Sequence, residues 1–90
     1  NEIIGTFLNS MPDSVAEINL NAEQGNWEQV AKLVHKIKPT ITLMGIHTLK
    51  DKIISLEQEA KENPGSQAAI TLTREVSTEL NQVIDSLRKA

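Results

Sequence analysis

The chain has 90 residues, 12 acidic and 9 basic side chains, a net charge of −3 and no cysteine. That length allows one small domain with one core, and the absence of cysteine excludes a disulfide framework and a thiolate metal site. No basic block with interleaved aromatics points to nucleic acid, no apolar run is long enough to span a membrane, and no signal-peptide pattern opens the chain. Phe7 and Trp27 are the only aromatics, and Leu, Ile, Ala, Glu, Lys and Gln dominate. This composition favours helices over sheet.

Ile3, Ile4, Phe7 and Leu8 make a short helical apolar face. Ser10-Met11-Pro12-Asp13 then reads as a restart, with Ser10 as cap, Asp13 completing a capping box and Pro12 in the first turn, where its missing N–H costs no bond. Val15, Ile18 and Ala22 carry the next face, which ends at Gly25. Gly25-Asn26 combines a helix stop with a good N-cap.

The longest periodic segment follows, from Trp27 to Met44 with Gly45 as the residue that ends it. Val30, Leu33, Val34, Ile37, Ile41 and Met44 recur at three- and four-residue spacing, which marks an amphipathic helix. His35 falls outside that stripe and is expected on the wet side, with Ala31 one turn before it and Lys38 one turn after. Pro39 lies inside the helix and cannot donate to the carbonyl of His35, so a kink beside the histidine is expected.

Thr48 with Asp51 offers a further capping box. Leu49, Ile53, Leu56 and Ala60 form the inner face of the next helix, and Asn63-Pro64-Gly65-Ser66 is a loop. The last helix carries Ala69, Leu72, Val76, Leu80, Val83, Ile84 and Leu87 on one side, with Arg88 and Lys89 suited to its C-terminal dipole. The expected fold is therefore all-α: an up-down-up-down four-helix bundle preceded by a short additional N-terminal helix, in a single domain.

Chemistry concentrates on His35. A neutral imidazole is a nucleophile at neutral pH, and a lysine at i+3 shares its face, where an ammonium would balance a dianionic group placed on the ring. The local chemistry is that of a histidine able to carry a phosphoryl group. On spacing alone an ordinary exposed histidine beside a solvated lysine is the commoner case. The four isolated glycines build no phosphate-cradling loop, so no ATP site is expected. His35 and His47 are twelve apart and make no metal-ligand pair, and no serine is placed for a triad. His47 reads as a loop residue in a turn, and Glu57 as solvated helix surface. Leu43 and Ile54 lie off the apolar stripes, as plain surface residues or as part of a docking patch.

His35-Lys36-Ile37-Lys38, then Gly45, Leu49 and Leu56-Glu57, resembles the histidine-containing phosphotransfer (HPt) domain of bacterial phosphorelays. That family has His-x-Leu/Ile-Lys on the second long helix, a Gly about ten residues on, a Leu and then a Leu-Glu pair. Phe7 on the leading helix fits, and the likeness spans about residues 3 to 88. It departs at Pro39, where the family usually has Gly.

The resemblance implies a phosphocarrier and not an enzyme with its own ATP site. His35 would accept a phosphoryl group on Nε2 from a receiver-domain aspartyl phosphate and pass it to another receiver, and Lys38 would steady the charged group. The catalytic carboxylates and Mg²⁺ would belong to the receiver, so no cofactor is expected in this chain. The implied partners are response-regulator receiver domains and a sensor histidine kinase, with a monomeric domain as the default and the cytoplasm as its place. Because the chain begins at Asn1, excision from a longer hybrid sensor kinase is the simplest account. The alternative is a helical module that docks a receiver or kinase without carrying phosphate.

Overall fold

The computed structural model describes residues 2–89, with side-chain surroundings from residue 5 onward. Four helices follow one another: α1 (Glu2–Glu23), α2 (Trp27–Leu43), α3 (His47–Glu62) and α4 (Gln67–Lys89). Each packs on two neighbours, α1 on α2, α2 on α3, α3 on α4 and α4 back on α1. The short connections make sequence neighbours antiparallel and give the up-down-up-down bundle. A 23-residue helix such as α4 is about 35 Å long at 1.5 Å per residue, which matches the 37 Å long axis of the domain.

The expected additional N-terminal helix is not a separate element. The chain from Glu2 to Glu23 is one helix with Pro12 inside it. Ser10 does not cap a restart; its hydroxyl donates to the Thr6 carbonyl at 2.8 Å, and Ser14 does the same to Ser10 at 3.3 Å. Phe7, Met11, Val15 and Ile18 lie on one continuous buried face. Burying large apolar side chains is worth about 1.5–3 kcal/mol each, and a proline in a helix interior costs about 3 kcal/mol. The stripe therefore carries the helix through the proline. The side chains of Ile3 and Ile4, expected to begin this face, lie outside the described residues.

Elsewhere the apolar stripes pack inward as their spacing predicts. Val30, Leu33, Val34, Ile37 and Ile41 are buried on α2, and Leu49, Ile53, Leu56 and Ala60 on α3. Met44 stands at the C-cap of α2 and is half-buried. On α4, Ala69, Val76, Leu80 and Ile84 are buried, whereas Leu72, Val83 and Leu87 are half-buried. Two polar residues share that interface: Thr73 donates to the Ala69 carbonyl at 2.8 Å and Ser77 to Asn19 Oδ1 at 2.7 Å. These bonds satisfy hydroxyls that burial would otherwise leave costly.

Gly25 and Gly45 end α1 and α2 with φ of +74° and +75°. That left-handed conformation is the reason for glycine at both stops. The expected caps fare less well. Asn26 occupies the N-cap position of α2, but its amide reaches Asn21 Oδ1 at 3.2 Å and makes no cap bond. Helix α3 starts at His47 behind Ile46, so Thr48 and Asp51 form no capping box and His47 belongs to the first turn of a helix. Ser66 is the side chain that caps: its Oγ accepts the Ala69 N–H at 3.0 Å at the start of α4.

Pro12 should be the weak link of α1. Pro12→Ala restores an N–H for the Leu8 carbonyl and removes a ring clash, so it should stabilise the domain by about 1–3 kcal/mol in chemical denaturation. A loss of stability in this variant would show that α1 depends on a break at that point.

Candidate functional site

The site is built across the α2–α3 interface. Leu56 is fully buried and holds α3 in register. Its neighbour Glu57 then projects toward α2 along the line where the two helices meet. On α2, the buried arc is wider than the apolar stripe, because Trp27 and Ala31 are buried as well. Ala31 was expected on the wet side with His35; α3 covers it, and it is 3% exposed. At 100° per residue His35 lies about 40° beyond Ala31 around the helix. It therefore stands at the rim of the interface, within reach of α3, while 65% of its side chain remains exposed.

Glu57 is the residue that the sequence reading misjudged. It is not solvated surface: its side chain is 12% exposed and it receives three donors. His35 Nδ1 lies 2.9 Å from Oε2, Lys61 Nζ donates to the same oxygen at 3.1 Å, and Lys38 Nζ donates to Oε1 at 3.3 Å. Burial pushes the Glu57 carboxyl up, but hydrogen bonds from Lys61, Lys38 and His35, with the charge of Lys38, outweigh it. The carboxyl is held below its ordinary value of 4.5. Glu57 is thus a carboxylate at neutral pH.

An ionised carboxylate only accepts hydrogen bonds. The proton in the His35–Glu57 bond must therefore sit on Nδ1, and in the neutral ring the lone pair is then left on Nε2. Glu57 also turns the ring, because the Nδ1 edge has to face α3. The two sequence signals for this were the Glu57/Lys61 spacing of four, which places the pair on one helix face, and the position of Glu57 directly after a core leucine.

Lys38 and His35, both expected at the site, are brought together through Glu57. His47 is at the start of α3 and takes no part. Pro39 is exposed, and α2 continues through it to Leu43. Thr42 bonds back to the Lys38 carbonyl at 2.9 Å, one residue before the proline. Ile54 and Leu43 are exposed, at 42% and 68%. Ile54 borders a shallow hollow with Glu57, Gln58 and Lys61, and two of these, Glu57 and Lys61, also line the hollow at His35. Among the described residues no three His, Cys, Asp or Glu side chains are grouped to hold a metal, and no helix is long and apolar enough to cross a membrane.

The domain is thus an antiparallel four-helix bundle with a solvent-facing histidine on its second helix and a carboxylate from the third bonded to that ring. The family model described as "Hpt domain" matches residues 2–90, and the chain belongs to that family. Its members serve histidine phosphotransfer in phosphorelays as phosphocarriers, and interact with receiver domains and kinases. No curated protein and no solved structure matches the chain significantly.

Stability should report the ionised Glu57. Because the folded state lowers its pKa, the carboxylate contributes stability in full above about pH 4.5 and loses it as pH falls through the lowered folded value. The stability gap between wild type and Glu57→Gln should therefore narrow on acidification below that pH. A gap that stays constant in urea titrations from neutral pH to strong acid would contradict the ionised assignment.

Proposed function

We propose that His35 is the phosphoryl acceptor of this domain, taking the group from the aspartyl phosphate of a receiver domain and passing it to another receiver. The observation that carries this reading is the 2.9 Å contact between His35 Nδ1 and the Glu57 carboxylate, on a ring otherwise open to solvent. It supplies both a defined tautomer and access, the two things a nucleophilic imidazole needs.

The Nε2 lone pair attacks phosphorus of the acyl phosphate. The bond between phosphorus and the aspartyl oxygen breaks, and its electron pair leaves with the aspartate as a carboxylate. The Nδ1 proton stays in place throughout. The product ring carries substituents on both nitrogens and hence a positive charge, which the Glu57 carboxylate faces directly. Return of the phosphoryl group to a second receiver is the same path reversed, with neutral imidazole as leaving group. No proton has to move in either direction, which suits a carrier that must load and unload readily.

Lys38 stands one turn from His35 and its side chain is 31% exposed, so its ammonium can leave Glu57 Oε1 and meet an oxygen of the transferred group. Ile54 and Leu43 provide exposed apolar surface to dock a receiver around the histidine. Pro39, one turn beyond His35, is compact and leaves the ring uncrowded from that side.

Incubation with a phosphorylated receiver should give an acid-labile phosphoryl adduct by intact mass. His35→Gln should give none while the bundle stays folded, since the ring is exposed and the lysines still pair with Glu57. Lys38→Ala should slow the transfer about tenfold or more while weakening receiver binding much less. Binding without any adduct on the wild-type domain would favour a docking module that carries no phosphate.

A further inference from the structure

The interface between α1 and α4 contains polar residues that the histidine cluster does not use. The core positions of α4 run Ala69, Thr73, Val76, Leu80 and Ile84, and the second of them is a threonine only 4% exposed. Ser77, one turn on, is bonded across the interface to Asn19 of α1. Polar and small side chains where large apolar ones would pack best weaken a core, and such breaks of local rule gather at functional sites. Here they border a hollow of about 310 Å³ between α1 and α4. That size lies within the range of small-molecule sites.

Trp27 reaches the hollow from α2, and its Nε1 edge is held beside the turn before α4, where a Cβ at Gly65 would lie 3.6 Å from it. Ala22 on α1 and Ile70 on α4 complete the apolar part of the lining. Asn19 accepts from Ser77 through Oδ1 at 2.7 Å, and its amide N–H groups have no partner among the described residues. Glu23 on α1 and Arg74 on α4 are exposed on facing walls. Neither takes part in an ion pair among the described residues. The hollow thus offers an apolar bed with a free anion on one wall and a free cation on the other.

We propose that this hollow binds a free α-amino acid with an apolar side chain. The side chain rests against Trp27, Ala22 and Ile70. The ammonium meets Glu23, and the carboxylate meets Arg74 with the Asn19 amide as a second donor. A zwitterion answers both charges at once, whereas a fatty acid or an alkylamine leaves one of them unmet. Burial of the side chain supplies affinity and the two charges fix orientation. No residue lining the hollow bonds to His35 or Glu57, so the site is separate from the histidine cluster.

Trp27 is the only tryptophan of the chain, so its emission reports on the hollow. L-leucine, L-valine and L-phenylalanine are titrated into the domain, followed by the amide and the deaminated acid of whichever binds most tightly, with glycine as the control that lacks a side chain. At least one of the three should change the emission saturably, with half-saturation below about 1 mM, and should raise the melting temperature. Its amide and its deaminated acid should each bind about fivefold more weakly or worse, the size an exposed charge pair supports. Arg74→Gln and Glu23→Gln replace exposed side chains, so the domain should stay folded while each variant weakens binding by a similar factor. Unchanged emission and melting temperature with all three amino acids at about 10 mM overturn the site. Amide or deaminated acid binding as tightly as the amino acid, or wild-type affinity in both variants, overturns the recognition of a zwitterion.

Discussion

One carboxylate organises this domain's surface. Glu57 sits where α2 and α3 meet, nearly withdrawn from water, and three donors from both helices converge on it. A buried carboxylate without partners would take up a proton or open the interface. Here the partners are two ammonium groups and an imidazole, so it stays ionised. Each partner is in turn constrained: the imidazole to one tautomer and one orientation, the lysines to positions on either side of it.

The bundle exists to make that meeting reproducible. Buried Leu56 and Ile53 fix α3, while Val34 and Ile37, next to His35, fix α2. The apolar stripe of α2 is extended by Trp27 and Ala31 toward α3, which leaves His35 at the edge of the interface and not at its back. An imidazole fully on the opposite face would have been equally exposed but out of reach of Glu57. Exposure makes the ring available to a partner, and the interface supplies its proton arrangement. The same geometry keeps the imidazole on a rigid element, so that the transfer proposed for it would need little ordering.

Much of this was legible in the sequence, and the parts that were not have physical reasons. The stripes of α2, α3 and α4 follow from period alone, and Gly25 and Gly45 announce their turns through the backbone they require. His35 and Lys38 stand out because charged or reactive groups off an apolar stripe have no packing role. Pro12 misled because local rules favour a proline in a first turn, whereas the face of Phe7, Met11, Val15 and Ile18 is continuous and tertiary burial outweighs the local cost. Thr48 and Asp51 misled in the same way, since a capping pattern is short and helix starts are set by packing. Glu57 could not be placed from its own helix, because its partners His35 and Lys38 lie 22 and 19 residues away on another one. Only the nearby Lys61 was visible as a spacing, and that spacing is common on exposed helices.

The central claim is that Glu57 holds the proton on Nδ1 of His35 and so presents Nε2 as the reactive atom. Its most direct test is a long-range ¹H–¹⁵N correlation spectrum of the ring at neutral to mildly alkaline pH, recorded on the unphosphorylated domain and on Glu57→Ala. The account predicts that His35 is predominantly the Nδ1–H tautomer in the wild type and moves toward the Nε2–H form, the usual preference of a free imidazole, when the carboxylate is removed. A wild-type ring that is already mainly Nε2–H, or one that is unchanged by loss of Glu57, would contradict it.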